Sequence, residues 1–380
     1  MNLLENEVIQ KIENQIKKSS ILLKDYATKY DEAIRLVEDE KDFRLDFQRD
    51  SDRIIHSHSY TRYINKTQVY SNLEDDNISR RMTHVQFVSR AARTIARGLG
   101  LNEDLCEAIS LGHDVGHVPF GHFGESVLND ISKRRTGLCF AHNLNSFRVF
   151  KDVEKKGKGC NLTIQVLDGI MCHNGEMVRA KYAPINKTKE DVLKEYEECR
   201  KDESKILKLI PMTLEGCVVR VSDIIGYIGK DIDDARKLEV FDIDTLPESV
   251  KTTLGSTNVE IMNNIITDIM IQSYGKPYIQ MSENVYEQVE KLKKFNYENI
   301  YYKAMDSKEK KYITNMFNEL YEVYINALEK EDKSNDIYEV FLKDMNTEYL
   351  NNSNNDEKVI DFIASMTDNY IQKQYDKYIK

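Results

Sequence analysis

All eight histidines fall between His56 and His173, under a third of the 380-residue chain, and imidazoles gathered so tightly point to chemistry. In RRMTHVQFVSRAARTIARGLG, Phe87, Val88, Ala91 and Ile95 follow His84 at i+3, i+4, i+7 and i+11, which puts the His84 ring on the apolar face of a helix. A second helix is predicted from Glu103 to a stop at Gly112. There Leu105, Ile109 and His113 share an inner stripe, with Asp114 just beyond it. A third, LEGCVVRVSDIIGYIGKDIDDA, embeds Asp223 among Val219, Val221, Ile224 and Ile225. A buried carboxylate needs a cation or strong donors to offset its desolvation. Taken singly, an inward His is most often a satisfied core residue and an inward Asp a cap; the joint order H…HD…D is what sets these four apart. Two imidazoles and two carboxylates suit a hard or borderline divalent ion that keeps positions open for water and phosphate.

The elements that must bring these groups together are helices. Only 5 Pro and 16 Gly interrupt the chain, so an all-α fold is predicted. Residues 1–45 read as N-terminal helices, from Leu4, Val8, Ile9, Ile12 and Ile16 on to Ile21 and Leu22. Residues 46–236 form the chemical core, with a charged insertion at about 184–206 that reads as a surface insertion or an exposed helix between two core helices. Residues 237–380 carry no His and show helical patterns near 256–273, 284–295, 308–329 and 357–379, which suggests scaffold, assembly and pocket support. A net charge of −10 argues against non-specific attraction to nucleic acid. Six cysteines without a C-x-x-C pair read as reduced thiols, and neither a basic-then-apolar leader nor a long apolar run is present, so a cytoplasmic protein without a membrane span is expected.

The order H…HD…D resembles the HD-domain phosphohydrolases, whose metal is held by a helical His, an adjacent His-Asp pair and a distant Asp. His84, His113, Asp114 and Asp223 match that set in order. Longer segments, FQRDSDRIIHSHSYTRYINKTQVY, GHDVGHVPFGHFGE, FAHNLNSFRVF, CHNGE, VSDIIGYIGKDIDDA and DFIASMTDNY, are similar to blocks of the deoxynucleoside triphosphate triphosphohydrolases, the dGTPase-like branch. His58 stands where that branch usually has Lys, and 237–355 carries little that matches.

The resemblance implies an HD-domain helical core with an additional C-terminal helical region. It also implies metal-dependent hydrolysis of a dNTP, dGTP or several, to deoxynucleoside and tripolyphosphate. The ion would be Mn²⁺, Mg²⁺ or Fe²⁺, and the assembly a homo-oligomer with a hexamer as the expected size. Activation by a second dNTP or by single-stranded DNA, as in some relatives, stays open. In this reading His122, nine residues after His113 in a Gly-flanked loop, is the catalytic acid, with Glu125 and His142 as its orienters. Arg81 lies on the face of His84 and would reach a phosphate, and His117 resembles the residue beside the α-phosphate. Tyr227 and Asp231, four and eight positions after Asp223 on what reads as one helix, would contact the sugar and its 3′ hydroxyl, with Gln68 as the second 3′ partner. His56, His58 and His173 receive no role. Two rivals remain: an HD hydrolase acting on another nucleotide, such as a monophosphate or an alarmone, and a non-catalytic dNTP-sensing oligomer. A pure sensor has no need of a proton donor.

Overall fold

The structure, a computed structural model, describes residues 22–40, 42–68, 79–174, 178–238, 245–301 and 305–380, with isolated positions 11, 15 and 18. Its elements are helices, apart from one two-residue ladder in which β1 (Lys181–Tyr182) pairs antiparallel with β2 (Ile279–Gln280), Lys181 opposite Gln280 and Tyr182 opposite Ile279. The principal helices are α1 (Asp46–Ile55), α2 (Arg81–Leu99), α3 (Glu103–Gly112), α4 (Gly121–Thr136), α5 (His142–Arg148), α6 (Ile164–Cys172) and α7 (Lys189–Lys201). They continue with α8 (Leu214–Ile228), α9 (Lys230–Lys237), α10 (Asn258–Ser273), α11 (Glu283–Asn299), α12 (Ser307–Glu329), α13 (Asn355–Ala364) and α14 (Asp368–Tyr378).

Two hydrophobic cores result. In the first, α2, α3, α6 and α8 pack around Val88, Ile95, Ile109, Ile170, Val218 and Ile225. Helix α8 is apolar on every side, so it takes the central position, buried along its length except at Tyr227. Thr213 caps it by accepting from the Gly216 amide, and the buried Glu215 carboxylate accepts from Thr28 and the Asn102 amide, tying the N-terminal segment to the start of α3. The second core gathers the inner face of α4 (Val127, Leu128, Ile131) with Phe317, Leu320, Phe362 and Ile371 of α12, α13 and α14.

Several expectations are revised. The N-terminal helix pattern up to Ile16 and Ile21 lies mostly outside the described residues. From 22 to 40 the chain runs mostly in turns, including the 3-10 turn Tyr30–Glu32, held by the Arg35 guanidinium on Asp46 and Asp50. The charged stretch near 184–206 is a helix that buries Val192, Tyr196 and Cys199, and the nearly buried Lys187 pairs with Asp168 at 2.7 Å and Glu195 at 2.6 Å. The helix read through Asp223 and Asp231 breaks after Ile228, whose carbonyl is taken by the Asn296 amide at 2.9 Å. The pattern at 357–379 is two helices, because Lys66 takes the Ala364 carbonyl at 3.3 Å and Thr367 caps a new start. All six cysteines are free, and among the described residues no helix is long and apolar enough to cross a membrane.

Candidate active site

The chain between α3 and α4 crosses the seam between the two cores. Gly116 is pressed against α5: a Cβ there would lie 2.2 Å from the His142 carbonyl oxygen and 2.3 Å from the Ser146 amide nitrogen. Ser146 Oγ accepts from the Gly116 amide at 2.9 Å, and Asn145 donates to the Gly116 carbonyl at 2.8 Å. The loop then turns through Phe120 and Gly121, both at positive φ (61° and 56°), a conformation costly for Phe. Asp368, at the first turn of α14, holds that turn: it accepts from the Phe120 amide at 3.0 Å, the Thr67 amide at 3.1 Å and the Thr67 hydroxyl. The same loop carries His113, Asp114, His117 and, at the start of α4, His122 and Glu125.

Helices α2, α3 and α8 bring His84, His113, Asp114 and Asp223 to one point. His84 Nε2 lies 3.0 Å from Asp223 Oδ1 and 3.8 Å from Asp114 Oδ2; His113 Nε2 lies 3.6 Å from Asp223 Oδ1 and 3.5 Å from Asp114 Oδ1. The His113 Nδ1–H donates to the Ser110 carbonyl at 2.7 Å, which turns the Nε2 lone pair inward, and that buried atom makes no hydrogen bond among the described residues. Burial works against charge on Asp114, yet His113, His117 and Arg81 hold its carboxyl well below the usual range; for Asp223, His113 and His84 do the same against burial. Two carboxylates kept ionised opposite two imidazole nitrogens, one of them an orphaned acceptor, fit a divalent cation.

Arg81 is buried with Nη1 2.6 Å from Asp114 Oδ2, so the other Asp114 oxygen faces inward, 3.3 Å from His117 Nε2. Burial, reinforced by Arg81 and His142, pushes His117 well below its ordinary value, so its ring is neutral. Glu125 binds His142 through Nδ1 (2.9 and 3.0 Å) and its backbone amide (2.7 Å), and lies 3.5 Å from Nδ1 of His122. Burial opposes ionisation of Glu125, but His142 and His122 hold it well below the carboxylate range. The His122 side chain is 64% exposed, open to a ligand.

A cavity of about 400 Å³ opens over these groups. Gln68, Arg81, His84, Asp114, His117, His122, His142, Asp223, Tyr227 and Asp231 line it, while His113 and Glu125 stand behind. Every residue singled out in the sequence is therefore in or directly behind one cavity. Gln68 Oε1 is buried there without a hydrogen-bond partner among the described residues. Asp231 accepts from the Tyr301 hydroxyl at 2.6 Å, and burial pushes its carboxyl up to about 6 against that bond.

The sequence reading missed several contributors. Tyr297, Tyr301, Met305 and Lys310 form part of the wall; the His-free half was expected to support the pocket, but none of these four was named. No short-range pattern marks them. His173 joins the site, whereas His56 and His58 are exposed away from it. One signal was available for His173: it directly follows an apolar helix, as His113 does.

Residues 81–225 match the HD domain, and residues 279–377 match the phosphohydrolase-associated domain, which covers much of the stretch where the sequence alone showed little likeness. An HD core with this donor set defines a phosphohydrolase. The chain is 37% identical over 357 residues to a deoxyguanosinetriphosphate triphosphohydrolase-like protein of Caldanaerobacter subterraneus subsp. tengcongensis, covering 93% of this chain and 91% of that one. Similar relatives occur in Desulfatibacillum aliphaticivorans (34% over 337 residues, 88% and 87% covered) and Clostridium tetani (33% over 341 residues, 88% and 85% covered). The chain belongs to the deoxyguanosinetriphosphate triphosphohydrolase-like family.

Proposed function

We propose that this protein hydrolyses deoxynucleoside triphosphates to deoxynucleoside and tripolyphosphate. The observation that carries the reading is the joining, in one cavity, of a four-residue ion site, a carboxylate-held histidine and an aromatic wall ending in a carboxylate. A divalent ion held by His84, His113, Asp114 and Asp223 would supply positive charge that acidifies water and neutralises phosphate oxygens. Water attacks the α-phosphorus, the bond from that phosphorus to the 5′ oxygen breaks, and the departing oxygen needs a proton. His122 supplies it, with Nδ1 turned to Glu125 and the rest of the ring open to the cavity. Arg81 steadies Asp114 and faces the phosphates, and neutral His117 stands beside the α-phosphate.

Tyr227, Asp231 and Gln68 grip the sugar from two sides, with Gln68 Oε1, unpaired among the described residues, and the Asp231 carboxylate as acceptors for the 3′ hydroxyl. A 2′ hydroxyl against the Tyr227 ring would be buried unpaired, at roughly 1 to 3 kcal/mol. The test incubates the purified protein with Mn²⁺, Mg²⁺ or Fe²⁺ and each dNTP and NTP, then separates products. Tripolyphosphate from dNTPs, with dGTP preferred over GTP, supports the reading. Release of pyrophosphate or single phosphates, or equal use of GTP, refutes it.

A further inference from the structure

Two further imidazoles, His142 and His173, converge with the ion ligands at the floor of the cavity. His173 is 1% exposed, its ring set edge-on to His113 with centroids 4.7 Å apart and planes 74° apart. It follows the last residue of α6 as His113 follows the last residue of α3, and both rings are fixed alike. Nδ1 of His113 donates to the Ser110 carbonyl at 2.7 Å, and Nδ1 of His173 to the Ile170 carbonyl at 2.6 Å. His142 is fixed by a carboxylate instead, with Nδ1 facing both Glu125 oxygens at 2.9 and 3.0 Å. An imidazole whose Nδ1–H goes to a carbonyl or carboxylate presents its Nε2 lone pair, which is how a histidine is oriented to ligate a metal.

These Nε2 atoms meet a carboxylate oxygen. Nε2 of His173 lies 3.2 Å from Nε2 of His142 and 3.8 Å from Asp114 Oδ1, and the three side chains bring their ligand atoms within 4.8 Å of one another. Bonds of about 2.1 Å to one ion put two ligand atoms about 3.0 Å apart at a right angle and at most about 4.2 Å apart in line. The separations of 3.2 and 3.8 Å fall inside that range. A proton joins only two acceptors, whereas a cation satisfies all three. The group is also continuous with the first ion site, because the same Asp114 Oδ1 lies 3.5 Å from His113 Nε2. His117, which lines the cavity, meets that oxygen at 3.3 Å. His142 lines the cavity too, so an ion bound to it is open to water or phosphate on that side.

We propose that His142, His173 and Asp114 form a second ion site, with Asp114 shared between it and the site of His84, His113 and Asp223. The proposal rests on the reading of that first site. Two imidazoles with one carboxylate favour a borderline ion, Fe²⁺, Mn²⁺ or Zn²⁺, over Mg²⁺. Paired ions, typically about 3.5–4 Å apart, clamp both the attacking and the leaving oxygen of a displacement at phosphorus, which is the class of the proposed reaction. Glu125 then joins the two parts of the site, holding the Nδ1 of His142 on one side and lying 3.5 Å from Nδ1 of His122 on the other.

The test strips full-length wild type and His173→Leu of metal, reconstitutes both with Mn²⁺, and counts the ions retained per chain by elemental analysis. Two ions are expected in wild type and one in His173→Leu, since leucine fills the space but offers no ligand. The electron paramagnetic resonance spectrum of wild type is expected to be that of a coupled Mn²⁺ pair, and that of His173→Leu to be that of an isolated ion. One ion per chain in wild type overturns the proposal and leaves a proton between the two rings. So does a folded His173→Leu protein that retains two ions, or one that loses both, which would put His173 in the first site. Where that variant does not fold, the wild-type count and spectrum decide alone. None of these readouts needs turnover. Two ions in a wild type that releases no tripolyphosphate overturn the hydrolytic reading and leave the second site standing. Tripolyphosphate release with one ion per chain does the reverse, and a wild type that holds no ion overturns both.

Discussion

Asp114 answers to two sets of partners through its two oxygens, Arg81 at 2.6 Å on one and the imidazoles of His117 at 3.3 Å and His113 at 3.5 Å on the other. Removing it strands a buried guanidinium as well as a ligand. Asp223→Ala is the cleaner variant, since among the described residues no Lys or Arg side chain is paired with Asp223. It is expected to lose bound metal and turnover together, read by elemental analysis and product formation; retention of both would take Asp223 out of the centre. Asp231 gives a pH signature. Its carboxyl is pushed up from 3.8 to about 6, so it is ionised in the folded protein only above about 6. The sign for stability follows: its contribution is fully present below 3.8 and is lost as pH rises to about 6, and Asp231→Asn should remove that slope. For binding, the ionised form accepts from Tyr301 and from a substrate hydroxyl at once. KM for a dNTP should therefore rise as pH falls below about 6, and a 2′,3′-dideoxy analogue should lack that rise. Parallel pH profiles for the two substrates would remove Asp231 from the 3′ contact.

At the scale of elements, the three ligand-bearing helices were legible because each writes its inward face in a 3.6-residue period: His84 with Val88, Ala91 and Ile95, His113 with Leu105 and Ile109, Asp223 within an apolar run. The breaks at Ile228 and Ala364 were not legible. Gly229 stands at the first with ordinary helical φ and neither Gly nor Pro stands at the second; side chains distant in sequence, Asn296 and Lys66, take the carbonyls that end those helices. His173 was hidden for the same reason, since its partner His142 belongs to another helix. The loop between α3 and α4 shows how distant elements set local geometry. Phe120 at φ 61° costs on the order of 1–3 kcal/mol and is held by Asp368 from α14. Asp368→Ala is expected to destabilise the protein by about 1–3 kcal/mol, because the Phe120 and Thr67 amides lose their acceptor, and to lower kcat while metal content stays at the wild-type level. Denaturant titration and metal analysis check both; a variant with unchanged stability and rate would free the loop from α14.

The molecule as a whole is two cores meeting across the cavity. The first carries His84, His113, Asp114 and Asp223, the candidate ion ligands, and the second helps support the opposite wall through α4 and α12, with Phe123 and Lys310 lining it. Largely buried ion pairs also span the seam. Arg148 of α5 binds Asp361 of α13 through two nitrogens, at 2.8 Å for the closest contacts, and Arg200 meets Glu357 at 2.5 Å. Breaking a buried pair from one side costs about 3–5 kcal/mol, so Arg148→Met should loosen the second core from the first. A ligand in the cavity touches both cores and should restore their coupling. Binding only to the folded state stabilises by about 2.7 kcal/mol at a hundredfold excess over Kd. With His122→Ala added to keep substrate intact, metal plus dNTP is expected to raise the melting temperature of the Arg148→Met protein, and to merge its unfolding into one transition where the ligand-free protein shows two. Calorimetry gives the answer directly. A dNTP that shifts only one of two transitions would place the substrate within a single core, and the seam would then have no part in binding.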